Sequence, residues 1–423
     1  MIAKKYAVIF LFVACLHSLL VTACFAQNWT NYNQDNSGLN NNAVTSITVD
    51  TNDIVWIGAS NGCAFPYGLN RFDGTSWVHY DHTNSGLVSD AVWRVLSDFN
   101  NNLWITYYCG EGLTKFDGTN WITYDTSNSN IPSNLINDLF IDSSNEVWTA
   151  GNGIAKFNGT SFTTYYTLPS NEFFTTLYAD SNVIYAVGEN LGLYKYDTSA
   201  HSVMIYDNSN SNIPSMYFGS ISKDHNGLIW LGSNYGFTGS TGGIATFDGN
   251  TFTAINPFTS ASTWVGYDQG IAIDQSNNIW VATRCEGLYV FDGITWVRVG
   301  ANLPQDGCAG FVYTDHQNRI WYGDVYSGVW TNIADVGIAD KEMGLLKIYP
   351  SPTIDVVNIS LPNLESMEGT VEVYDARGEK ISERLIGKGS NKLEMDISVW
   401  TKGIYYVHLI SNDKTYAAKI MKQ

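Results

Sequence analysis

An aspartate followed by an apolar residue and a tryptophan recurs along the whole N-terminal three quarters of the chain. The unit runs from Asp50…Val55-Trp56 to Asp315…Ile320-Trp321, and Asp180…Ile184-Tyr185 is a degenerate copy without the tryptophan. Successive anchors lie 37 to 50 residues apart: Trp56, Trp104, Trp148, Tyr185, Trp230, Trp280 and Trp321. Repeats of this length are typical of four-stranded propeller blades and are too long for leucine-rich repeats.

The segment after each anchor predicts a β-hairpin. Gly68-Leu69…Phe72-Asp73-Gly74 is followed by a short aromatic run, and the same order returns in the later units. Asp-Gly between two alternating apolar runs is a strong hairpin signal. Each unit therefore consists of strands A and B, where B carries the tryptophan, and hairpin C–D.

The two ends of the array predict that the ring is closed by strand exchange. The seventh unit reaches Trp330 without a fourth strand, whereas residues 28–32 match the fourth strand at residues 120–124. A closed ring removes open sheet edges. We therefore predict an all-β protein, a seven-bladed β-propeller whose N-terminal strand completes the last blade, followed by a small C-terminal β-sandwich.

Composition excludes several other classes of protein and of partner. Only 15% of residues are charged and 14% are aromatic, which argues against disorder and against long charged helices. The net charge of −18 argues against nucleic acid as a partner. The charge is uneven, because residues 27–340 hold 29 acidic and 9 basic side chains whereas residues 346–423 hold 10 of each.

The N-terminus has the layout of a secretory signal peptide. Lys4 and Lys5 precede an apolar run that ends in small residues at Ala26, so we predict cleavage there and a signal peptide over residues 1–26. A membrane anchor and a lipidated Cys24 are the alternatives. We expect no transmembrane segment in the mature chain.

Four cysteines remain after the signal peptide. An even number in an exported chain indicates two disulfides with three conceivable connectivities. Cys63 with Cys109 and Cys285 with Cys308 are preferred because each pair falls in loops of adjacent repeats. Free thiols are the alternative, and neither a metal site nor a cofactor is predicted.

Two family resemblances add to this interpretation. The repeats over residues 28–333 resemble the two-component-regulator propeller family, whose signalling role we do not carry over. The C-terminal series of Tyr349-Pro350-Ser351-Pro352, Val357-Asn358-Ile359 and Gly403-Ile404-Tyr405 resembles the type A sorting domain of the type IX secretion system. Ser351 stands where that family usually has asparagine.

The resemblances imply the domain organisation and the destination. We expect the propeller over residues 27–333, a linker with a processing site over residues 334–345, and the sorting domain over residues 346–423. The sorting domain implies handling by the type IX secretion machinery and a secreted or outer-surface location on a Gram-negative bacterium.

Residues that break the repeat predict a ligand-binding face. In propellers the D–A and B–C loops share one face around the central channel, and aromatic residues with a few charges there suit sugar rings. Packing between blades is the alternative for each of them. The candidates are Trp93, Arg94, Tyr107, Tyr108, Glu111, Tyr217, Trp264, Tyr267, Arg284 and Glu286.

Three functions follow as hypotheses. The first is a noncatalytic surface module that binds a glycan or a protein, and we assign no catalytic residue. The second is a polysaccharide lyase, using Tyr108 or Tyr267 with Arg284, or a glycoside hydrolase using Glu111 and Glu286. The third is a structural or adhesive surface protein.

Overall fold

The described residues form two compact units that divide between Ala334 and Asp335. The computed structural model describes residues 29–180, 182–233, 243–255, 257–258, 265, 270–283, 286–299, 303, 309–324, 326–332, 344–345, 347–349, 355–361, 369–375, 380–387, 392–411 and 415–422. The signal peptide, the linker and the Cys285–Cys308 pairing lie outside these residues.

The first unit consists of seven four-stranded antiparallel sheets within the described residues. Blades 1 to 3 contain β2 (Val44–Val49), β3 (Val55–Ser60), β4 (Pro66–Phe72), β5 (Trp77–Tyr80), β6 (Val92–Ser97), β7 (Leu103–Tyr107), β8 (Leu113–Phe116), β9 (Trp121–Tyr124), β10 (Ile136–Ile141), β11 (Val147–Gly151), β12 (Gly153–Phe157) and β13 (Phe162–Thr167). Blades 4 to 6 contain β14 (Phe174–Asp180), β15 (Val183–Gly188), β16 (Gly192–Asp197), β17 (Ser202–Tyr206), β18 (Phe218–Lys223), β19 (Ile229–Ser233), β20 (Ile244–Phe247), β21 (Phe252–Ile255), β22 (Ile271–Ile273), β23 (Ile279–Thr283), β24 (Gly287–Phe291) and β25 (Trp296–Val299).

Blade 7 is assembled from both ends of the array. Its strands are β26 (Ala309–Thr314), β27 (Ile320–Asp324), β28 (Gly328–Thr331) and the N-terminal β1 (Thr30–Tyr32). Asn31 of β1 pairs with Trp330 of β28. The predicted strand exchange is therefore confirmed.

The first strands of the blades form a closed cycle of contacts. Strand β2 contacts β6, and the series continues through β10, β14, β18, β22 and β26, which contacts β2 again. Each junction between blades contains its own apolar core, as shown by Trp104 of blade 2 packing with Leu139 and Val147 of blade 3. The predicted seven-bladed propeller is confirmed, and its tryptophans fill the spaces between neighbouring sheets.

A clamp between an aspartate and a tryptophan fixes the A–B turn in six of the seven blades. The tryptophan indole N–H donates to the aspartate carboxylate at 2.8 to 3.1 Å. In blade 3 the same carboxylate, on Asp142, also accepts the backbone N–H groups of Ser144 and Glu146. These aspartates satisfy backbone and indole donors of their own turns.

The loops of each blade divide between two faces. We call the face with the D–A and B–C loops the upper face, and the face with the A–B and C–D turns the lower face. Strand direction fixes this division, because antiparallel neighbours reverse the chain at alternate ends of the sheet.

The second unit is a small β-sandwich. One sheet has the order β29 (Gly344–Leu345), β36 (Thr415–Lys422), β35 (Gly403–Ser411), β32 (Gly369–Asp375) and β33 (Lys380–Ile386). The other contains β30 (Lys347–Tyr349), β31 (Val356–Ser360) and β34 (Lys392–Asp396). Val357 and Ile359 of the smaller sheet share one core with Val373 and Val407 of the larger sheet. The predicted sandwich is confirmed.

Candidate functional site

The upper face of blades 1 and 2 is held together by a disulfide. Cys63 in the B–C loop of blade 1 is bonded to Cys109 in the B–C loop of blade 2, with their Cα atoms 5.8 Å apart. The backbone N–H of Tyr108 donates to the Ala91 carbonyl at 2.9 Å, which joins the adjacent D–A loop to the same region. The predicted Cys63–Cys109 pairing is confirmed.

Trp93 and Tyr108 form an aromatic pair beside this disulfide. Their ring centroids are 4.2 Å apart and both side chains are partly exposed. The Trp93 indole N–H donates to the Asn137 carbonyl of blade 3 at 2.7 Å. Thr45 occupies the matching bulge in strand A of blade 1, and its hydroxyl likewise donates to a carbonyl of the next blade, that of Val92. The indole is thus fixed in place by the neighbouring blade.

Glu111 lies on the same B–C loop as Tyr108, between two glycines. Gly110 and Gly112 both have positive φ, at 82° and 91°, and a Cβ on Gly112 would lie 2.3 Å from the Tyr124 carbonyl oxygen. Only glycine fits such positions without strain. Among the described residues, the buried Oε2 atom of Glu111 has no hydrogen-bond partner. Within the described residues, this oxygen is therefore a buried acceptor that no donor satisfies.

Arg94 and Tyr107 are interior residues, so the prediction that they face a ligand requires correction. The buried Arg94 guanidinium donates through Nε to Asp138 Oδ1 at 2.9 Å, and Asp138 also accepts the Thr176 hydroxyl at 2.6 Å. The Tyr107 hydroxyl donates to Thr114 Oγ1 at 2.7 Å, and burial raises its pKa. Both side chains join strands inside the propeller and neither reaches the solvent.

Glu286 also lies in the interior, in blade 6. Its side chain is 5% exposed and its Oε2 atom accepts the Tyr289 hydroxyl at 2.5 Å. Tyr217 is 37% exposed in the D–A loop before blade 5. Trp264, Tyr267 and Arg284 lie outside the described residues.

The structure places further exposed apolar side chains on the upper face that the sequence did not single out. They are Phe65, Val88 and Phe173, in D–A or B–C loops. Phe65 follows Cys63 in the B–C loop of blade 1, and this longer loop was the available signal. Apolar residues scattered singly over a surface are common, whereas contiguous exposed apolar patches mark interaction surfaces.

The charges of the upper face have one sign in the part that the structure describes. The loops contain nine carboxylates and no lysine or arginine. Several carboxylates cap their own loops, where they accept hydrogen bonds from hydroxyl and backbone groups. These hydrogen bonds lower the pKa of Asp81, Asp125 and Asp207. Exposed carboxylates without such bonds are those of Asp35, Glu172 and Glu189.

No three histidine, cysteine or acidic side chains among the described residues come together to hold a metal ion. Within the same residues, no helix has the length and apolar character needed to span a bilayer.

Family comparison identifies two segments. Residues 347–423 match the family described as secretion system C-terminal sorting domain. Residues 38–61 match the family described as two component regulator propeller. The C-terminal unit is thus a sorting domain. The protein is exported by the type IX secretion system to the exterior or the outer surface of a Gram-negative cell.

Solved structures share the fold at low sequence identity. The extracellular domain of a hybrid two component system from B. thetaiotaomicron has a TM-score of 0.54 and 17% identity, over 94% of this chain and 57% of that chain. PorZ, a bacterial surface component of the type IX secretion system of Porphyromonas gingivalis, has a TM-score of 0.56 and 16% identity, over 92% and 60%. A streptogramin B lyase has a TM-score of 0.56 and 12% identity, over 72% and 96%.

The chain therefore spans only 57% and 60% of the first two structures, and these likenesses establish the fold alone. Comparison with curated proteins finds no match.

Proposed function

We propose that this exported propeller is a noncatalytic binding module that holds a glycan on the upper face of blades 1 and 2. We call this region the 1–2 edge and define it by Phe65, Trp93, Tyr108, Glu111 and the Cys63–Cys109 disulfide. The observation that carries the proposal is the pair of partly exposed rings in loops that also carry a carboxylate oxygen without a partner among the described residues.

This arrangement supplies both parts of sugar recognition. The C–H face of a pyranose ring packs on an aromatic ring, and sugar hydroxyls donate to carboxylate oxygens. Trp93 and Tyr108 offer the aromatic surface, and Glu111 offers the acceptor. Leaving a buried acceptor unsatisfied costs about 1–3 kcal/mol, so a ligand hydroxyl that reaches Oε2 gains from it.

The 1–2 edge is preorganised. The disulfide links the two B–C loops, and the Trp93 indole is hydrogen bonded to the next blade. Ordering side chains on binding costs affinity, and a site that is already fixed avoids much of that cost.

Hydrolysis by Glu111 with Glu286 is not part of the proposal. A glycosidase needs two carboxyl groups that face one cleft. The Glu286 carboxylate is buried in blade 6 and accepts the Tyr289 hydroxyl, whereas Glu111 belongs to blade 2. The streptogramin B lyase shares the fold, but fold does not imply activity.

A protein ligand is the second candidate, and the exposure of Phe65 favours it. This phenyl ring is 58% exposed at the 1–2 edge and carries no polar group that could bond to a sugar hydroxyl. Aromatic anchors of this type often occupy pockets of protein partners. The surface of the secreting cell would supply such a partner.

The test compares full-length wild type with Glu111→Gln on a glycan array, followed by calorimetry with any glycan retained. Glu111→Gln keeps the shape and loses the charged acceptor, so we expect an affinity loss of about tenfold. Asp35→Asn, which removes an exposed carboxylate from another upper loop, should leave the affinity unchanged.

Two results would overturn the glycan proposal. One is the absence of any glycan bound by the wild type, and the other is equal binding by the wild type and Glu111→Gln. The protein ligand would be supported if a cell-surface extract yielded a partner that binds the wild type and does not bind Phe65→Ser. The control is Phe99→Ser, which removes a ring of 59% exposure from the lower face. Turnover of a bound polysaccharide that disappears in Glu111→Gln would instead establish an enzyme.

A further inference from the structure

A second cluster of exposed side chains lies on the upper face at blade 4. We call it the blade 4 edge and define it by Glu172, Phe173, Glu189 and Tyr217. These residues lie on three loops: the D–A loop before blade 4, the B–C loop of blade 4 and the D–A loop before blade 5. It is separate from the 1–2 edge, so its properties do not depend on the proposed glycan site.

The three loops are in contact through their backbones. A Cβ on Gly188, which precedes Glu189, would lie 2.4 Å from the Phe173 carbonyl oxygen. The backbone N–H of Gly192 donates to the Met216 carbonyl at 3.1 Å, next to Tyr217. The three loops that carry the four defining residues are therefore adjacent on the upper face.

Side-chain hydrogen bonds fix the backbone of the loops that carry the two aromatic residues. The Asn152 amide donates to the carbonyls of Pro169 and Glu172 at 3.2 and 3.1 Å, which fixes the loop that presents Phe173. The backbone of Tyr217 accepts the Ser233 hydroxyl at 3.0 Å and donates to Ser215 Oγ at 3.0 Å. Phe173 and Tyr217 nevertheless remain 39% and 37% exposed. An apolar surface kept ordered and exposed is typical of a docking site.

The charge around these rings is negative and has no cationic partner in the part of the chain that the structure describes. Glu172 and Glu189 are exposed, and neither has an ion-pair or hydrogen-bond partner for its carboxylate among the described residues. Nearby lysines are engaged elsewhere: Lys195 of blade 4 lies over the Tyr185 ring, and Lys223 of blade 5 pairs with Asp180 near the lower face. The blade 4 edge thus combines apolar rings with free acceptors of one sign.

We propose that the blade 4 edge binds a polypeptide segment in which lysine or arginine residues alternate with apolar side chains. Cations of such a segment would pair with Glu172 and Glu189, while its apolar side chains would cover Phe173 and Tyr217. Complementary charge raises the association rate and selects the partner, and the aromatic contacts supply the affinity. Nucleic acids and anionic lipid surfaces carry the wrong charge for this surface.

The test uses a synthetic 12-residue peptide of alternating lysine and leucine, with an alternating glutamate and leucine peptide as the reversed-charge probe. Binding to the full chain is measured by fluorescence anisotropy at low and high salt. We expect the lysine peptide to bind, the glutamate peptide to bind at least tenfold more weakly, and salt to reduce the difference.

Variants separate this site from the general negative charge of the protein. Glu172→Gln with Glu189→Gln should weaken binding of the lysine peptide about tenfold, and Phe173→Ser with Tyr217→Ser should do so as well. Asp35→Asn with Asp355→Asn removes the same charge from two other exposed positions and should have little effect. All substituted side chains are exposed, and unchanged melting temperatures would verify folding.

Three outcomes would overturn the proposal. The first is no binding of the lysine peptide. The second is an equal loss in the Asp35→Asn, Asp355→Asn control, which would indicate nonspecific attraction. The third is equal binding of both peptides. Because Glu111→Gln leaves the blade 4 edge intact, the glycan proposal and this proposal can fail independently.

Discussion

Blades 3 and 4 are neighbours whose A–B turns are stabilised by different interactions. In blade 3, four residues separate Asp142 from Val147, and the carboxylate accepts two backbone N–H groups and the Trp148 indole. In blade 4, three residues separate Asp180 from Ile184, the counterpart of Val147, so the turn is one residue shorter, and Tyr185 has no indole N–H to donate. Asp180 instead accepts the ammonium of Lys223 from blade 5.

The difference shows that the clamp is a local device and not a requirement of the ring. A carboxylate that satisfies three donors within its own turn works in any blade that keeps the loop length. Blade 4 replaces it with an ion pair to the neighbouring blade, in which the Asp180 side chain is 38% exposed. Exposed ion pairs contribute little to the stability of a fold. We therefore expect blade 4 to depend less on its turn residues than blade 3 does.

The largest expected effect concerns the two anchors. Trp148→Ala empties a fully buried site between blades 3 and 4 and should lower the free energy of unfolding by about 3–5 kcal/mol. Tyr185→Ala removes a half-buried ring and should cost less, about 1–3 kcal/mol. Calorimetry of both full-length variants measures the difference. Equal losses would show that blade 4 is no less dependent on its anchor.

The next effect concerns the aspartates. Asp142→Ala leaves the Trp148 indole and two turn N–H groups without their acceptor and should cost about 2–3 kcal/mol. Asp180→Ala breaks a partly exposed ion pair and should cost less than about 1 kcal/mol. Chemical denaturation followed by circular dichroism checks both values. A larger loss for Asp180→Ala would reverse the comparison.

The smallest effect concerns the C–D turns, in which blade 4 resembles the regular blades. Hydrogen bonds from their own turns lower the pKa of Asp117 in blade 2 and of Asp197 in blade 4. A carboxyl group with a lowered folded-state pKa stabilises the fold above its unfolded pKa of about 4 and loses this contribution as the pH falls. Asp117→Asn and Asp197→Asn should therefore lower the melting temperature slightly and equally at pH 7.

Blade 3 provides the natural control for this last prediction. Asn158 occupies the matching position and accepts the N–H groups of Thr160 and Ser161 at 3.0 and 2.9 Å. An asparagine thus fits the turn without a titrating group. The difference between each variant and the wild type should disappear as the pH falls below 4. A difference that persists at acid pH would contradict the assigned cause.

Most of the fold could be predicted from the sequence because its determinants repeat within each blade. The tryptophan anchors, the Asp-Gly hairpins and the match of residues 28–32 to a fourth strand are local signals, and the structure confirms the architecture that they indicate. The Cys63–Cys109 disulfide followed from the same repeat, because neighbouring blades bring equivalent loops together.

The candidate site was less predictable, and two pairs of adjacent aromatic residues show why. Tyr107 is buried and bonded to Thr114, whereas Tyr108 is partly exposed and pairs with Trp93. Phe174 is fully buried at the start of β14, whereas Phe173 is exposed. Composition and loop position are the same within each pair, so neither could decide which ring faces the solvent.

The sequence by itself determined the number of blades, the closure of the ring, the clamps and the sorting domain, because each depends on residues close together in one repeat or segment. Tertiary structure decided which loop residues form a surface. A shift of one residue turns a side chain from one side of a strand to the other, and the bulge at the start of strand A sets that register. The neighbouring blade then determines whether the side chain is covered, as it covers Arg94, or left exposed, as it leaves Phe173.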